Sequence, residues 1–195
     1  MTHEEILSIF KRTNALLEGH FQLTSGLHSS QYFQCAKVLQ YPTYAEQLCG
    51  IVAHHFENQH IDVVVAPALG GIVVGQEVGR QLNARTLFAE RKDGLMQLRR
   101  GFEIKRDESV LVCEDVITTG GSVREVITIV KTHGGTVSGV GAIVDRSGGT
   151  VALHGLFATV VMDVITHKPE KCPLCLAGVP IDKPGSRETP RTQMA

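Results

Sequence analysis

Residues 110–123 read VLVCEDVITTGGSV, and this stretch decides the fold class. An apolar run of strand length comes first, followed by two acids, a turn rich in threonine and glycine, and the start of another apolar segment. A strand that is apolar throughout is typical of a parallel sheet with helices on both faces. The stretch therefore predicts a buried parallel strand, a loop at its carboxyl end and a helix.

The same alternation of apolar strands and helical segments runs through the middle of the chain. It predicts an α/β fold in which a parallel sheet carries helices on both faces. The expected order is a strand IDVVVA, a turn PALGG, a helix to about residue 82, a strand TLFA, a long polar loop, the strand VLVCE, a helix to about residue 132, a strand VSGVGAIVD, and a last strand over 157–164.

The two ends of the chain are expected to be appendages of a single domain spanning residues 1–195. Apolar spacing over residues 4–17 predicts a first helix, and the mixed segment FQLTSGLHSSQYFQCAKVLQ predicts a hairpin or irregular flap. Residues 1–40 would form this helix and hood. A helix from Pro42 to about His60 then opens the core, residues 41–165, and the polar stretch 183–195 is expected to be a disordered tail.

Composition excludes several classes of function. The chain has 195 residues, 43% hydrophobic residues and a formal net charge of −1, which does not favour binding to nucleic acid or to a membrane surface. The first residues carry acids where a secretory signal would be basic, and no apolar run is long enough to span a membrane. Five cysteines, an odd number, fit reduced thiols, so a cytoplasmic protein is expected.

The chemistry of the stretch lies between its strand and its helix. Ligands of open α/β sheets bind at the carboxyl ends of the strands, where Glu114 and Asp115 stand. Two carboxylates can accept hydrogen bonds from a sugar diol or hold a divalent cation. The turn TTGGS can bring backbone amides and a helix N-terminus to one phosphate. Together these groups describe a site for a ribose 5-phosphate; the alternative is that the polar residues only cap the helix.

Two other nucleotide motifs fail on inspection. Gly70 and Gly75 have P-loop spacing, but Gln76 and Glu77 stand where lysine and Ser or Thr are required. Gly139 and Gly141 resemble a dinucleotide fingerprint, but Val144 replaces its last glycine and the segment is apolar like a strand. The sequence therefore argues against a P-loop enzyme and against a dinucleotide cofactor.

VLVCEDVITTGGSV resembles the phosphoribosyl pyrophosphate (PRPP) signature of the type I phosphoribosyltransferases. FQLTSGLHSSQYF, PALGG, ERKDGLMQLRRGF and AIVDR, in this order, resemble members of that family that act on orotate, and the resemblance covers roughly residues 16–179. It implies transfer of phosphoribose from PRPP to orotate in pyrimidine (UMP) biosynthesis. The implied reaction is a Mg²⁺-dependent displacement of pyrophosphate that needs no dedicated general base, with no firm protein ligand for the metal.

The resemblance also implies roles for individual residues. The acidic pair would meet the ribose hydroxyls, the turn would wrap the 5-phosphate, and the backbone of PALGG would face the leaving pyrophosphate. The implied PRPP-binding residues are Glu114, Asp115, Val116, Ile117, Thr118, Thr119, Gly120, Gly121 and Ser122, with Ala68, Gly70, Gly71, Arg91 and Lys92. Lys92, Arg91 and Asp115 would be catalytic, and Thr118, Arg146, Tyr32 and Phe33 would bind orotate.

Each of these assignments has a structural alternative. PALGG would also suit a tight turn from strand to helix, and Arg146 could be a surface arginine paired with Asp145. Tyr32 and Phe33 could be ordinary core residues. Thr24 stands where many members of the family have a lysine that contacts substrate, so a cationic contact is missing from the hood.

The loop over residues 91–106 has a local charge of +4, from six basic and two acidic side chains. A solvated surface loop is the ordinary meaning of such a run. By resemblance it is a lid that reaches the neighbouring subunit's site, which makes the working unit a homodimer. The lysine and histidine usually found after the Arg-Lys pair are absent, and Arg99 or Arg100 is expected to replace them.

Two further functions and one motif stay open at this stage. The chain could act on a purine, or it could sense PRPP without catalysis, although it lacks a recognisable helix-turn-helix; association with a decarboxylase is also open. Cys172 and Cys175 form CPLC, which occurs at zinc sites, in redox pairs and in structural turns. Zinc normally requires four ligands and CPLC supplies two; His167 would add a third, or two chains would bring two such pairs together.

Overall fold

The structure is a computed structural model that describes residues 1–23, 25–162 and 164–184. Six helices and nine strands occur in this part of the chain. The helices are α1 (His3–Arg12), α2 (Ala36–Leu39), α3 (Pro42–Phe56), α4 (Gly70–Leu82), α5 (Gly121–Thr132) and α6 (Pro173–Leu176). The strands are β1 (Leu16–Gln22), β2 (His28–Phe33), β3 (Val63–Pro67), β4 (Arg85–Lys92), β5 (Leu95–Leu98), β6 (Ser109–Ile117), β7 (Thr136–Asp145), β8 (Leu156–Val161) and β9 (Thr166–His167).

The predicted parallel sheet is confirmed. Its six strands run in the order β5-β4-β3-β6-β7-β8, and every neighbouring pair is parallel except β4 with β5. All five residues of β3 are buried, as an apolar strand covered on both faces requires. Strands β3 and β6 lie side by side, with Val63 opposite Val110, so the loops at their carboxyl ends open at the same edge of the sheet.

The core of this sheet is made of branched aliphatic side chains. Strands β3, β6 and β7 contribute Val65, Val112 and Val140, each fully buried, and α5 covers them with Val126 and Val130. Deleting such a side chain costs about 2–5 kcal/mol. This packing fixes the strand ends on which the candidate site is built.

The first helix is shorter than predicted. It begins at a capping box in which Thr2 and Glu5 satisfy each other's backbone amides, and it ends because Asn14 adopts a positive φ of 51°. The apolar residues at 15–17, which the periodicity assigned to the helix, begin strand β1 instead. Helix α3 likewise ends at Phe56, before His60.

Two other predictions need correction. The long polar loop predicted over residues 91–106 is wrong in its first half, because Arg85–Lys92 and Leu95–Leu98 pair as an antiparallel hairpin, whereas residues 99–106 belong to no helix or strand. The strand predicted over residues 157–164 begins at Leu156 and ends at Val161. Asp163, Thr24 of the hood and residues 185–195 of the expected tail lie outside the described residues.

The chain forms two compact units. One unit, the core unit, comprises Met1–Ala15 and Gln34–Asp163. The other, the hood unit, joins Leu16–Phe33 to the described residues of Val164–Ala195. The hood unit contains an antiparallel sheet in the order β1-β2-β9. The flap is therefore the predicted hairpin, with a third strand from the C-terminal segment. No described helix has the length and apolar character needed to cross a membrane.

Candidate functional site

The acidic pair lies at the carboxyl end of β6, as the sequence predicts. Glu114 is only 9% exposed, whereas Asp115 is half-buried. The Asp115 N–H donates to Glu114 Oε1 at 3.1 Å, and the Val116 N–H donates to Asp115 Oδ1 at 2.9 Å. These bonds hold both carboxyl groups against the strand that carries them.

The environment of Glu114 is unfavourable for a negative charge. Burial raises the pKa of its carboxyl group well above the ordinary value, and the neighbouring Asp115 carboxylate raises it further. A protonated carboxyl group can donate a hydrogen bond, while an ionised one only accepts. The pair can therefore offer both a donor and an acceptor to a ligand that carries hydroxyl groups.

The turn after the acids opens the N-terminus of helix α5. Gly120 stands immediately before the helix with a φ of 73°, which disfavours any residue with a Cβ atom, and a Cβ there would lie 3.0 Å from Val151. The Arg124 N–H donates to the Gly120 carbonyl at 3.0 Å and closes the first helical turn. Helix geometry leaves the amides of the first turn without partners inside the helix, and Thr118 and Thr119 beside them are exposed. This is a suitable binding place for a phosphate.

The PALGG turn lies directly against the acidic pair. A Cβ atom on Gly70 would overlap the Asp115 carboxylate, and one on Gly71 would lie 3.1 Å from Glu114 Oε1. The close approach therefore disfavours a side chain at Gly70 most strongly. Both glycines begin helix α4, and the Ala68–Leu69 peptide bond before them is cis. The Ala68 N–H, which was expected to face a ligand, instead donates to the Ala89 carbonyl at 2.7 Å, so Gly70 and Gly71 are left to supply the amides.

Arg146 follows the next strand, β7, at the same edge of the sheet. Its N–H donates to the Ile117 carbonyl at 2.8 Å, which fastens the end of β7 to the end of β6. Asp145, the partner proposed by the surface alternative, uses Oδ1 to accept from the Ser147 N–H at 2.8 Å. The positive charge of Arg146 lowers the pKa of the buried Cys35 thiol, whereas the charges of Asp115 and Glu114 raise it.

Cys35 is a residue of this region that the sequence analysis missed. It is buried, and its thiol donates to the Asp115 carbonyl at 3.8 Å. Burial raises the pKa of Cys35 well above its usual value, and Asp115 and Glu114 raise it further. The thiol is therefore a neutral packing group beneath the acidic pair. No sequence pattern marks it, because its partner lies 80 positions away along the chain.

The basic residues lie on the β4–β5 hairpin. Asp93 and Gly94 form a two-residue turn with φ values of 52° and 81°, the values of a type I′ turn. The Asp-Gly pair in the sequence was the signal for this hairpin. Arg91 makes a forked ion pair with Glu125 of α5, at 2.9 and 2.6 Å, and also donates to the Gly94 carbonyl.

Other loop arginines are also engaged within the core unit. Arg99 and Arg100 both pair with Glu90, at 3.4 and 3.0 Å. Lys92, by contrast, is exposed and makes no ion pair within residues 1–23, 25–162 and 164–184. Of the predicted basic pair, Lys92 is the member whose charge is available to a ligand.

Tyr32 and Phe33 lie on β2 in the hood unit. Phe33 is 4% exposed, which agrees with a core role, and the Tyr32 ring lies 5.8 Å from that of Phe21. Their expected role near a base stays a prediction.

The core unit thus brings together three predicted groups at one edge of the sheet. Carboxyl groups on β6, backbone amides at the start of α4 and amides at the start of α5 come from two adjacent parallel strands. Hydroxyl groups of a sugar match the first group, and phosphates match the other two. These groups are chemically suited to a sugar with phosphate groups at both ends.

Comparisons with known proteins agree with this chemistry. The family model described as "Phosphoribosyl transferase domain" matches residues 37–170. A protein of Caldicellulosiruptor bescii named orotate phosphoribosyltransferase is 58% identical, over 96% of this chain and 100% of its own length. A protein of Chlorobaculum parvum with the same name is 59% identical, over 96% of this chain and 97% of its own.

A solved structure shares the fold. The crystal structure of orotate phosphoribosyltransferase from Aeropyrum pernix superposes with a TM-score of 0.70 at 24% identity, covering 80% of this chain and 93% of the other. The family model and the relatives lead to one conclusion: the chain belongs to the phosphoribosyl transferase family.

Proposed function

We propose that the chain transfers the 5-phosphoribosyl group from PRPP to orotate, giving orotidine 5′-monophosphate and pyrophosphate in pyrimidine biosynthesis. The observation that carries the proposal is the contact of the acidic pair with Gly70 and Gly71 beside the turn that opens α5. In this proposal the acidic pair would bind a diol, the turn that opens α5 a 5-phosphate, and Gly70 and Gly71 a pyrophosphate. The relatives named orotate phosphoribosyltransferase support orotate as the acceptor.

PRPP would lie across the edge of the sheet. We assign its 5-phosphate to the turn from Thr118 to Ser122 and to the amides that open α5. Asp115 would accept from one ribose hydroxyl, and Glu114, whose pKa is raised by burial, would donate to the other. Holding both ends of the sugar aligns the anomeric carbon for displacement, which needs little proton transfer from the protein.

The leaving pyrophosphate would face the Gly70 and Gly71 amides. We propose Mg²⁺ as the cofactor, bound mainly through the oxygens of the pyrophosphate itself. The protein groups nearby, the carboxylates of the acidic pair, also offer oxygen atoms, the ligands that this cation prefers. When bound, Mg²⁺ neutralises charge that develops on the leaving group. Lys92 would add a further positive charge, and Arg91 would position the hairpin through Glu125.

Orotate recognition is assigned to Arg146 and Thr118. A guanidinium group binds a planar carboxylate in a forked manner, which a lysine cannot reproduce. Arg146 belongs to the same strand edge as the acidic pair, since its backbone is bonded to Ile117. We therefore expect Arg146→Lys to lose far more orotate affinity than PRPP affinity.

We also propose a cytoplasmic homodimer in which the β4–β5 hairpin enters the partner's site. The hairpin tip is exposed, with Leu95 at 66%, so it is open to another subunit. All five cysteines are free thiols, which suits a reducing compartment.

The direct test is to incubate the chain with PRPP, Mg²⁺ and one base at a time, following the base's absorbance and pyrophosphate release. We expect orotate consumption matched by pyrophosphate. Turnover of hypoxanthine or adenine instead of orotate would overturn the choice of acceptor. PRPP binding without any turnover would indicate a regulator. Asp115→Asn serves as the inactive control, because it keeps the side-chain volume and removes the carboxylate.

A further inference from the structure

Four side chains capable of binding a metal converge in the hood unit, apart from the acidic pair. They are His20 on β1, His28 at the start of β2, and Cys172 and Cys175 of the CPLC motif. One ligand atom from each lies within 4.8 Å of the other three. His20, His28 and Cys172 are 3%, 6% and 0% exposed, and Cys175 lies at the surface. The sequence offered His167 as a third ligand, but the structure supplies two other histidines.

The spacing of these atoms matches a tetrahedral metal site. His20 Nε2 lies 3.1 Å from His28 Nδ1, 3.5 Å from Cys172 Sγ and 3.7 Å from Cys175 Sγ. Cys175 Sγ lies 3.3 Å from His28 Nδ1. Zinc bonds of about 2.3 Å to sulfur and about 2.0 Å to nitrogen place tetrahedral ligands about 3.3–3.8 Å apart. The cluster therefore has the size of a zinc coordination shell.

A contact outside the cluster orients one of the ligands. His20 Nδ1 lies 2.8 Å from the Val179 carbonyl, so this nitrogen carries the proton and donates to it. The other nitrogen, Nε2, then presents its lone pair to the cluster. Metal-binding histidines characteristically donate their second N–H to a carbonyl or carboxylate in this way.

We propose that His20, His28, Cys172 and Cys175 bind a structural Zn²⁺ ion. Two thiolates and two imidazoles fill all four positions of a zinc ion, which leaves none for a substrate. The ion would be structural, and the proposal does not depend on the transferase function. Deprotonated thiols and neutral imidazoles are required, so binding would release protons.

The position of the cluster indicates what the ion would stabilise. His20 and His28 belong to the β1–β2 hairpin, and the two cysteines belong to the C-terminal segment. The same segment returns to β1 through backbone bonds of Asp182 with His20 and Gln22, both 2.8 Å. A unit this small has little apolar surface to bury, and metals commonly supply the missing stability. The ion would join the hairpin and the C-terminal segment into one folded unit.

The first measurement is the metal content of the full chain, purified without chelators and without a histidine tag. We expect about one zinc ion per chain, measured by inductively coupled plasma mass spectrometry. After zinc removal, Co²⁺ should give the visible bands of a tetrahedral ion and a near-ultraviolet band from thiolate ligands. A chain without zinc that gives no such cobalt spectrum would overturn the proposal. A resting Cys172–Cys175 disulfide without metal would also overturn it, in favour of a redox pair.

Matched variants then assign the ligands. Cys175→Ser and His28→Asn should each lower the zinc affinity by about tenfold or more, measured by competition with a chromophoric chelator. His167→Asn is the control, because His167 pairs with His28 between β9 and β2 but lies outside the cluster. Equal zinc affinity in all three variants would contradict the assignment.

A measurement on the unmodified chain covers the case in which the variants fail to fold. Chelation should increase hydrogen exchange in β1 and β2, with little change in β3 and β6, and added zinc should restore protection. If chelation leaves exchange in β1 and β2 unchanged, the ion does not hold the hood unit together.

Discussion

At the scale of single residues, Glu114 serves ligand binding at a cost to folding. Its carboxyl group is nearly buried and lies beside Asp115, so its ionisation is opposed by burial and by charge repulsion. A side chain placed only for stability would be apolar at this point of the strand, because the four preceding residues, 110–113, are all buried and apolar. Binding sites often carry such unfavourable groups, because the same features tune their chemistry.

We therefore expect Glu114→Gln to stabilise the fold. The raised pKa means that the folded chain holds a proton that the unfolded chain loses near the ordinary value of 4.5. The bound proton adds to the free energy of unfolding. This addition is fully present below pH 4.5 and is lost as the pH rises toward the pKa of Glu114 in the folded chain. Glutamine does not titrate, so at pH 8 the variant should melt about 2–4 °C higher, a gain of about 1 kcal/mol.

The measurement is a series of thermal melts from pH 5 to pH 8, with the gap between variant and wild type narrowing toward pH 5. Glu103→Gln, the same chemical change at an exposed position, is the control and should show no such trend. A variant of Glu114 that is less stable than wild type at pH 8 would show that the ionised carboxylate is favourable where it lies.

Single residues also differ in whether the sequence alone predicts their role. Glu114, Asp115 and Gly120 were predictable, because acids and a glycine turn between a strand and a helix have a local meaning. The engagement of Arg91 with Glu125 was not, since the two lie 34 positions apart. The sequence gives the number of positive charges, but only the folded structure shows which of them form ion pairs within the chain.

At the scale of elements, the β4–β5 hairpin replaces the first half of a predicted loop and depends on its turn. The interpretation of residues 91–106 rested on their charge and overlooked the Asp-Gly pair, which is typical of a hairpin turn. Asp93 and Gly94 both have positive φ, a requirement of the two-residue turn that fits the twist of paired strands. The hairpin gives Lys92 a defined position, which a flexible loop would not.

We expect Gly94→Ala to loosen this hairpin and Gly94→Asn to preserve most of it. A Cβ atom at Gly94 would meet nothing within 4 Å, so the cost is confined to the backbone conformation. Alanine pays about 1 kcal/mol in the left-handed region, equivalent to about fivefold faster hydrogen exchange, and asparagine tolerates this region better.

Exchange of the amides in β4 and β5 measures the effect, with those of β6 and β7 as the internal reference. Equal acceleration in both variants, or acceleration that extends to β6 and β7, would contradict a purely local turn effect.

At the scale of the whole molecule, the sequence predicted the parallel sheet but not the division into units. Apolar strands alternating with helices leave few arrangements other than a covered parallel sheet, so β3, β6 and β7 were found without long-range information. The joining of β1 and β2 with residues from the far end of the chain has no local signature. Long-range pairing of short strands is specified by side chains that meet only after folding.

The proposed homodimer predicts that two inactive variants recover activity when their subunits are mixed. If Lys92 acts in the partner's site, Lys92→Ala and Asp115→Asn damage opposite sides of each shared site. In a mixed dimer, one site carries both changes and the other carries neither. Equal mixing with free exchange of subunits makes half the dimers mixed, so activity should recover to about a quarter of wild type from two nearly inactive parents.

Steady-state transfer to orotate measures the recovery after the two variants are mixed and allowed to exchange. Mixing either variant with itself is the control and should restore nothing. If Lys92 acts within its own chain, every site in the mixed dimer carries one damaged residue, and activity stays at the level of the parents. Recovery therefore reports directly whether the hairpin completes the site of another subunit.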